Sequence, residues 1–208
     1  MLRALLAKHL VVIKILLHSL ALLPLVWLAW QTYQQQLGGD PVQYLTHFTG
    51  KGGLNLLLIT LCVSPIAKTL RWGFLLQTRR LLGLWALAYA LVHVSIFWWL
   101  DLAGRFDLLL SEIVKRPYIS LGALALVILI ALGVTSFNHV RRKMGRHWQR
   151  LHNWVYLVAI LVPIHYYWSV KSGLVEPTLY LILAGFLLLL RHNKLPISIS
   201  QFSKREQI

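Results

Sequence analysis

The chain has 208 residues, of which 58% are apolar and only 13% charged, and its formal net charge is +15. Soluble domains carry roughly 45–50% apolar and about 25% charged residues, so a water-soluble globular fold is excluded, and the continuous apolar runs exclude a membrane β-barrel, which needs alternating patterning over short strands. A single cysteine, Cys62, excludes both an internal disulfide and covalent haem attachment through C-x-x-C-H.

Six apolar segments, each near the roughly 20 residues that cross a bilayer as a helix, follow in chain order. The first, at about 10–30, sits in MLRALLAKHLVVIKILLHSLALLPLVWLAW. It runs on to Trp27 and Trp30 without the small-residue cleavage site of a signal peptide, so it is expected to be a retained span. The second, 52–67, is short and follows DPVQYLTHFTG, which contains His47. The third, 81–100, reads LLGLWALAYALVHVSIFWWL and contains His93. The fourth covers 118–137, the fifth 151–170 with His152 and His165, and the short sixth 175–191. No internal repeat is evident. The sequence therefore predicts an all-α, polytopic membrane protein: one six-helix transmembrane bundle spanning the chain, 1–208.

The connections carry the charge. Segments 1–14, 68–80, 141–150 and 191–208 hold sixteen of the twenty-one Lys and Arg residues. The alternate connections hold the other five and five of the six acids: Asp40, Asp101, Asp107, Glu112 and Glu176. Basic loops stay cytoplasmic, so both termini are expected inside. The basic excess is then a topology signal and a contact with anionic lipid headgroups; these short loops cannot build the folded basic surface that nucleic-acid binding needs. No G-x-G-x-x-G unit and no P-loop is present. If the protein handles electrons, another molecule is expected to deliver them.

Nine histidines are present. His9, His139, His147 and His192 lie near cytoplasmic ends, where a solvated imidazole needs no special role. His18 stands alone in span 1, where a histidine can simply hydrogen-bond across helices. His93, His152 and His165 differ. Spans 3 and 5 run in the same direction, His93 lies thirteen residues beyond Arg80, and His165 lies thirteen beyond His152. At about 1.5 Å per residue these thirteen steps cover about 20 Å. His93 and His165 are thus expected at one outer level, Arg80 and His152 at an inner one. Two histidines at equal depth can supply both axial nitrogens of a haem, a coordination that favours electron transfer over oxygen activation. On a straight helix His152 and His165 would point about 140° apart, but Pro163 can re-aim His165. Arg80 stays protonated and is no axial ligand; it suits a haem propionate or a flavin phosphate. One haem level is well formed; a second would need another ligand for His152's level, such as His147 or His139, or a vacant position.

Five blocks, DPVQYLTHFTG, the run ending SPIAK, QTRRLLGLWALAYALVH, KRPYISLG and MGRHWQRLHNWVYLVAILVPIHYYWSVK, resemble the ferric reductase-like transmembrane family over about residues 18–192. Within it the likeness is strongest to the haem-binding membrane subunits of bacterial periplasmic methionine sulfoxide reductase systems. The resemblance implies a six-span haem b protein of the bacterial inner membrane that also carries FMN. It implies electrons drawn from the quinone pool or a cytosolic flavin reductase. It implies their delivery to a periplasmic, molybdenum-dependent catalytic subunit that repairs oxidised methionine. His93, His152 and His165 carry over as haem-associated positions. Relatives with two histidines on each of two helices hold two haems; Arg80 stands here at one of those four places. The alternative is a stand-alone haem-dependent reductase of metals or quinones.

Overall fold

The computed structural model describes residues 9–191, and all regular structure among them is helical. In chain order the helices are α1 (Leu10–Tyr33), α2 (Pro41–Thr69), a 3-10 segment (Gly73–Thr78), α3 (Arg79–Ile96), α4 (Phe106–Lys115), α5 (Pro117–Val134), α6 (Asn138–Met144), α7 (Arg146–His152), α8 (Val155–Ser169) and α9 (Val175–Leu189). A π turn, Phe97–Asp101, extends α3. Among the described residues four stretches are long and apolar enough to cross a membrane: α1, α2, Gly73–Asp101 and α5. Helices α8 and α9 have 15 residues each, about 22 Å at 1.5 Å per residue, against a hydrocarbon core of roughly 30 Å.

Two expected boundaries move. The second span was placed at 52–67, but α2 starts at Pro41. Asp40 caps it, its carboxylate accepting from the Gln43 N–H at 2.9 Å, and proline suits the first helical position because that N–H has no partner there. The polar, glycine-rich stretch HFTGKGG is therefore helix rather than connection. The fifth span was placed as one helix over 151–170, but the chain turns at Asn153–Trp154, so His152 ends α7 while His165 belongs to α8. There the Trp154 N–H bonds the Leu151 carbonyl, a tight i→i−3 turn, and Asn153 Oδ1 accepts from Gln149 Nε2 at 2.8 Å. Before α7, Gly145 makes the other turn at φ +50° and ψ −124°, a conformation open to glycine because it lacks a Cβ.

The chain divides into two compact units, Met1–Lys115 and Arg116–Ile208. In the first, α2 packs along α3, burying Leu54, Leu57, Leu58 and Leu61 with Leu82, Ala86 and Tyr89. Glycine lets the two helices meet: a Cβ on Gly52 would lie 2.3 Å from the Tyr89 ring. The Tyr89 hydroxyl reaches on to donate to the Ala21 carbonyl of α1 at 2.8 Å. In the second unit α8 packs against α5 and α9, and Val158 and Ala159 are fully buried. Buried Arg191 donates to the Tyr156 hydroxyl at 3.2 Å, so this charge in the core has a polar partner. Large apolar side chains stay exposed along the long helices, Val11, Leu20 and Val127 among them, as expected where lipid is the solvent.

Candidate functional site

The first unit supplies His93 and Arg80, both on α3. His93 is half-buried, and its Nδ1 lies 2.9 Å from the backbone oxygen of Thr46 in α2. A carbonyl oxygen only accepts, so Nδ1 carries the proton and donates it. A neutral imidazole has one ring N–H, which leaves the lone pair on Nε2. The second unit repeats this contact: His165 Nδ1 on α8 donates to the Tyr118 carbonyl of α5 at 2.6 Å. A metal-binding histidine characteristically gives its other N–H to such an acceptor, which fixes the tautomer and raises the basicity of the ligating nitrogen. Each histidine, taken in its own unit, therefore has the donor chemistry that a haem iron takes, at Nε2.

His152 is held the other way round. Its Nε2 lies 3.1 Å from Thr135 Oγ1, and the Thr135 hydroxyl proton is directed to the Ala131 carbonyl at 2.6 Å. His152 Nε2–H is then the donor, and the basic nitrogen is Nδ1. The Trp148 ring stacks on the imidazole with centroids 3.9 Å apart, and Trp148 Nε1 donates to the Thr135 carbonyl at 2.9 Å. Arg141 lies over the same indole, 4.8 Å from its centroid. This cluster closes the C-terminal end of α5, giving His152 a structural task that spacing alone did not reveal.

Arg80 is exposed and lines an open cavity of about 370 Å³ with Lys14, His18, Gln77 and Trp85. The Trp85 indole N–H donates to His18 Nδ1 at 2.9 Å, the cross-helix role expected of a lone membrane histidine. The cavity lining carries two cations and no carboxylate, which suits an acidic group. His9, His139 and His147 are exposed at or near helix ends; His192 lies outside the described residues. Among the described residues no three His, Cys, Asp or Glu side chains gather as a metal-binding group. A haem brings four nitrogens of its own and asks the protein for two axial ligands.

Sequence reasoning missed the Thr46 and Tyr118 carbonyls, since a backbone acceptor leaves no residue-type signature. The available signal was positional: both lie inside polar blocks, DPVQYLTHFTG and KRPYISLG, that interrupt apolar sequence. Residues 18–163 match the model of the family described as ferric reductase like transmembrane component. The matched stretch takes in Thr46, Arg80, His93, Tyr118 and His152 and stops two residues before His165.

Proposed function

The chain belongs to the ferric reductase like transmembrane component family, a multi-pass membrane family whose role is transmembrane electron transfer, and from that premise we propose that it is a haem b-containing electron-transfer subunit of the MsrQ type. His93 and His165 are the residues that would hold a haem iron, each through its Nε2. The observation that carries this reading is the shared bond of their Nδ1–H groups to backbone carbonyls, at 2.9 Å and 2.6 Å, which puts both basic nitrogens at Nε2. Haem, when bound, supplies a one-electron ferric/ferrous couple. The Thr46 and Tyr118 oxygens hold a proton at Nδ1 of each ligand and orient each ring. An iron held by two imidazoles would serve electron transfer rather than oxygen activation.

The inner level differs. Arg80 serves an acidic group, a haem propionate or the phosphate of FMN, while His152 is engaged by Thr135 and Trp148. One haem is thus the principal cofactor. The chain lies in the bacterial inner membrane as six spans with both termini inside. It takes electrons from the quinone pool or a cytosolic flavin reductase and passes them to a periplasmic molybdenum-dependent methionine sulfoxide reductase. The short outer connections support delivery to a separate catalytic subunit.

His93→Ala and His165→Ala should each abolish the reduced-minus-oxidised haem spectrum in purified membranes, while His152→Ala should keep it. A full spectrum in either of the first two variants overturns the ligand assignment. Sulfoxide reduction assayed with and without the periplasmic partner separates this reading from a stand-alone reductase.

A further inference from the structure

The two histidine contacts share more than an acceptor type. Each histidine bonds a carbonyl 47 residues earlier in the chain. Thr46 and Tyr118 are 72 positions apart, as are His93 and His165. Four residues after each carbonyl, one helical turn on, stands a glycine: Gly50 after Thr46 and Gly122 after Tyr118. These glycines also lie 72 apart, in a frame without insertion.

The coincidence has a steric cause. In an α-helix the carbonyl of residue i already accepts from the N–H of residue i+4. A second donor approaching that oxygen from outside must pass beside residue i+4. A Cβ on Gly50 would lie 3.1 Å from His93 Nδ1 and 3.2 Å from Cε1. A Cβ on Gly122 would lie 2.9 Å from His165 Cε1 and 3.0 Å from Nδ1. Ordinary van der Waals contact begins near 3.4 Å, so both rings occupy the volume that a methyl group would fill. The same argument does not apply to Gly185, which has nothing within 4 Å.

We propose that Gly50 and Gly122 are positioning residues in a duplicated cradle, each admitting an imidazole to the helix carbonyl one turn back and so fixing it as the Nδ1–H, Nε2-ligating tautomer. The cradle is built twice, once inside each unit, from a helix that starts with proline and a later helix that bears the histidine. Its use in metal binding rests on the haem reading; its use in fixing the tautomer does not. Gly122, with the tighter contact, is the more demanding of the two positions.

The test uses the full-length chain, purified haem-replete, with Gly50→Ala, Gly122→Ala and Gly185→Ala compared. Alanine favours helix over glycine, so a role confined to the fold would leave the first two variants at least as sound as the third. The cradle instead gives weakened haem retention, on the order of 10-fold for Gly122→Ala and less for Gly50→Ala, with displaced low-spin EPR signals in both and no change in Gly185→Ala. Unaltered EPR and retention in both cradle variants overturn the proposal. A second readout needs no haem: imidazole ¹⁵N spectra of protein prepared haem-free. Protonated Nδ1 and unprotonated Nε2 at His93 and His165, with that pattern lost in the alanine variants, support the cradle; protonated Nε2 in the unsubstituted chain overturns it. A chain that takes up no haem defeats the proposed function and leaves the nitrogen spectra to decide the cradle.

Discussion

Tyr89 ties three helices through two separate demands. Its hydroxyl needs the Ala21 carbonyl, and its ring needs the space that Gly52 leaves open. These demands separate by mutation. Tyr89→Phe keeps the ring and removes one hydrogen bond, which should cost about 1 kcal/mol. Gly52→Ala forces a methyl group to 2.3 Å from the ring. Overpacking of this kind costs about 1–3 kcal/mol, more than alanine's helix advantage of about 1 kcal/mol over glycine can offset at the upper end. A 2.3 Å approach belongs to the upper end of that range, a net cost of about 2 kcal/mol, so thermal unfolding in detergent should rank Gly52→Ala as the less stable variant; the reverse order would place the tight point elsewhere. Charge at the surface follows different arithmetic. Arg105 holds the Asp107 carboxyl below the usual carboxylate range through a side-chain hydrogen bond, at 2.6 Å. A depressed carboxylate pKa stabilises the fold above the unfolded value, about 3.9, and that stabilisation fades as pH falls through the folded value. Both groups are fully exposed and solvent screens the pair, so Asp107→Asn should leave the unfolding midpoint at pH 7 unchanged.

At the scale of elements, legibility tracked how local the cause was. The start of α2 was readable in principle: Asp40 and Pro41 are a cap and a first-turn proline side by side. It was passed over because HFTGKGG is polar and glycine-rich, and those glycines are explained only by α3, which packs against them. The break at Asn153–Trp154 was hidden for the opposite reason, since apolar residues continue across it and hydropathy does not register a tight turn. Helix α4 was absent from the six-span reading because its ten residues are too short to cross. It is amphipathic all the same: Phe106, Leu110 and Val114 recur every fourth residue and are exposed, while Asp107, Ser111 and Lys115 follow on the adjacent side. A short helix of this kind lies in the membrane interface with its apolar face in the headgroup boundary. A nitroxide at Leu110 in vesicles should relax more with oxygen than with a water-soluble nickel chelate, and one at Lys115 should show the opposite preference. Equal preferences at the two positions would remove α4 from the interface.

Across the whole chain, the class of fold was legible because it is written in residue type, as long apolar runs, and the candidate histidines could be singled out the same way, as imidazoles where lipid would disfavour them. The relation between the two halves was not. Its marks are a backbone oxygen and a missing Cβ, repeated at 72 residues in sequence that otherwise differs, with Arg80 standing in that frame where the second half has His152. The same frame sharpens what orientation must achieve. If the electron path runs outward, His93 and His165 must lie toward the outer side, and the clusters around Arg80 and Arg141 toward the cytoplasm. The charge pattern predicts that orientation through the positive-inside rule. Single cysteines placed in a Cys62→Ala background test it directly. Gly39→Cys and Ser172→Cys should react with a membrane-impermeant maleimide added outside spheroplasts. Asn138→Cys, beside Arg141 and Arg142, should react only after the membrane is opened. The inverse pattern would put His93 and His165 on the cytoplasmic side, and delivery of electrons to a periplasmic partner would fail with it.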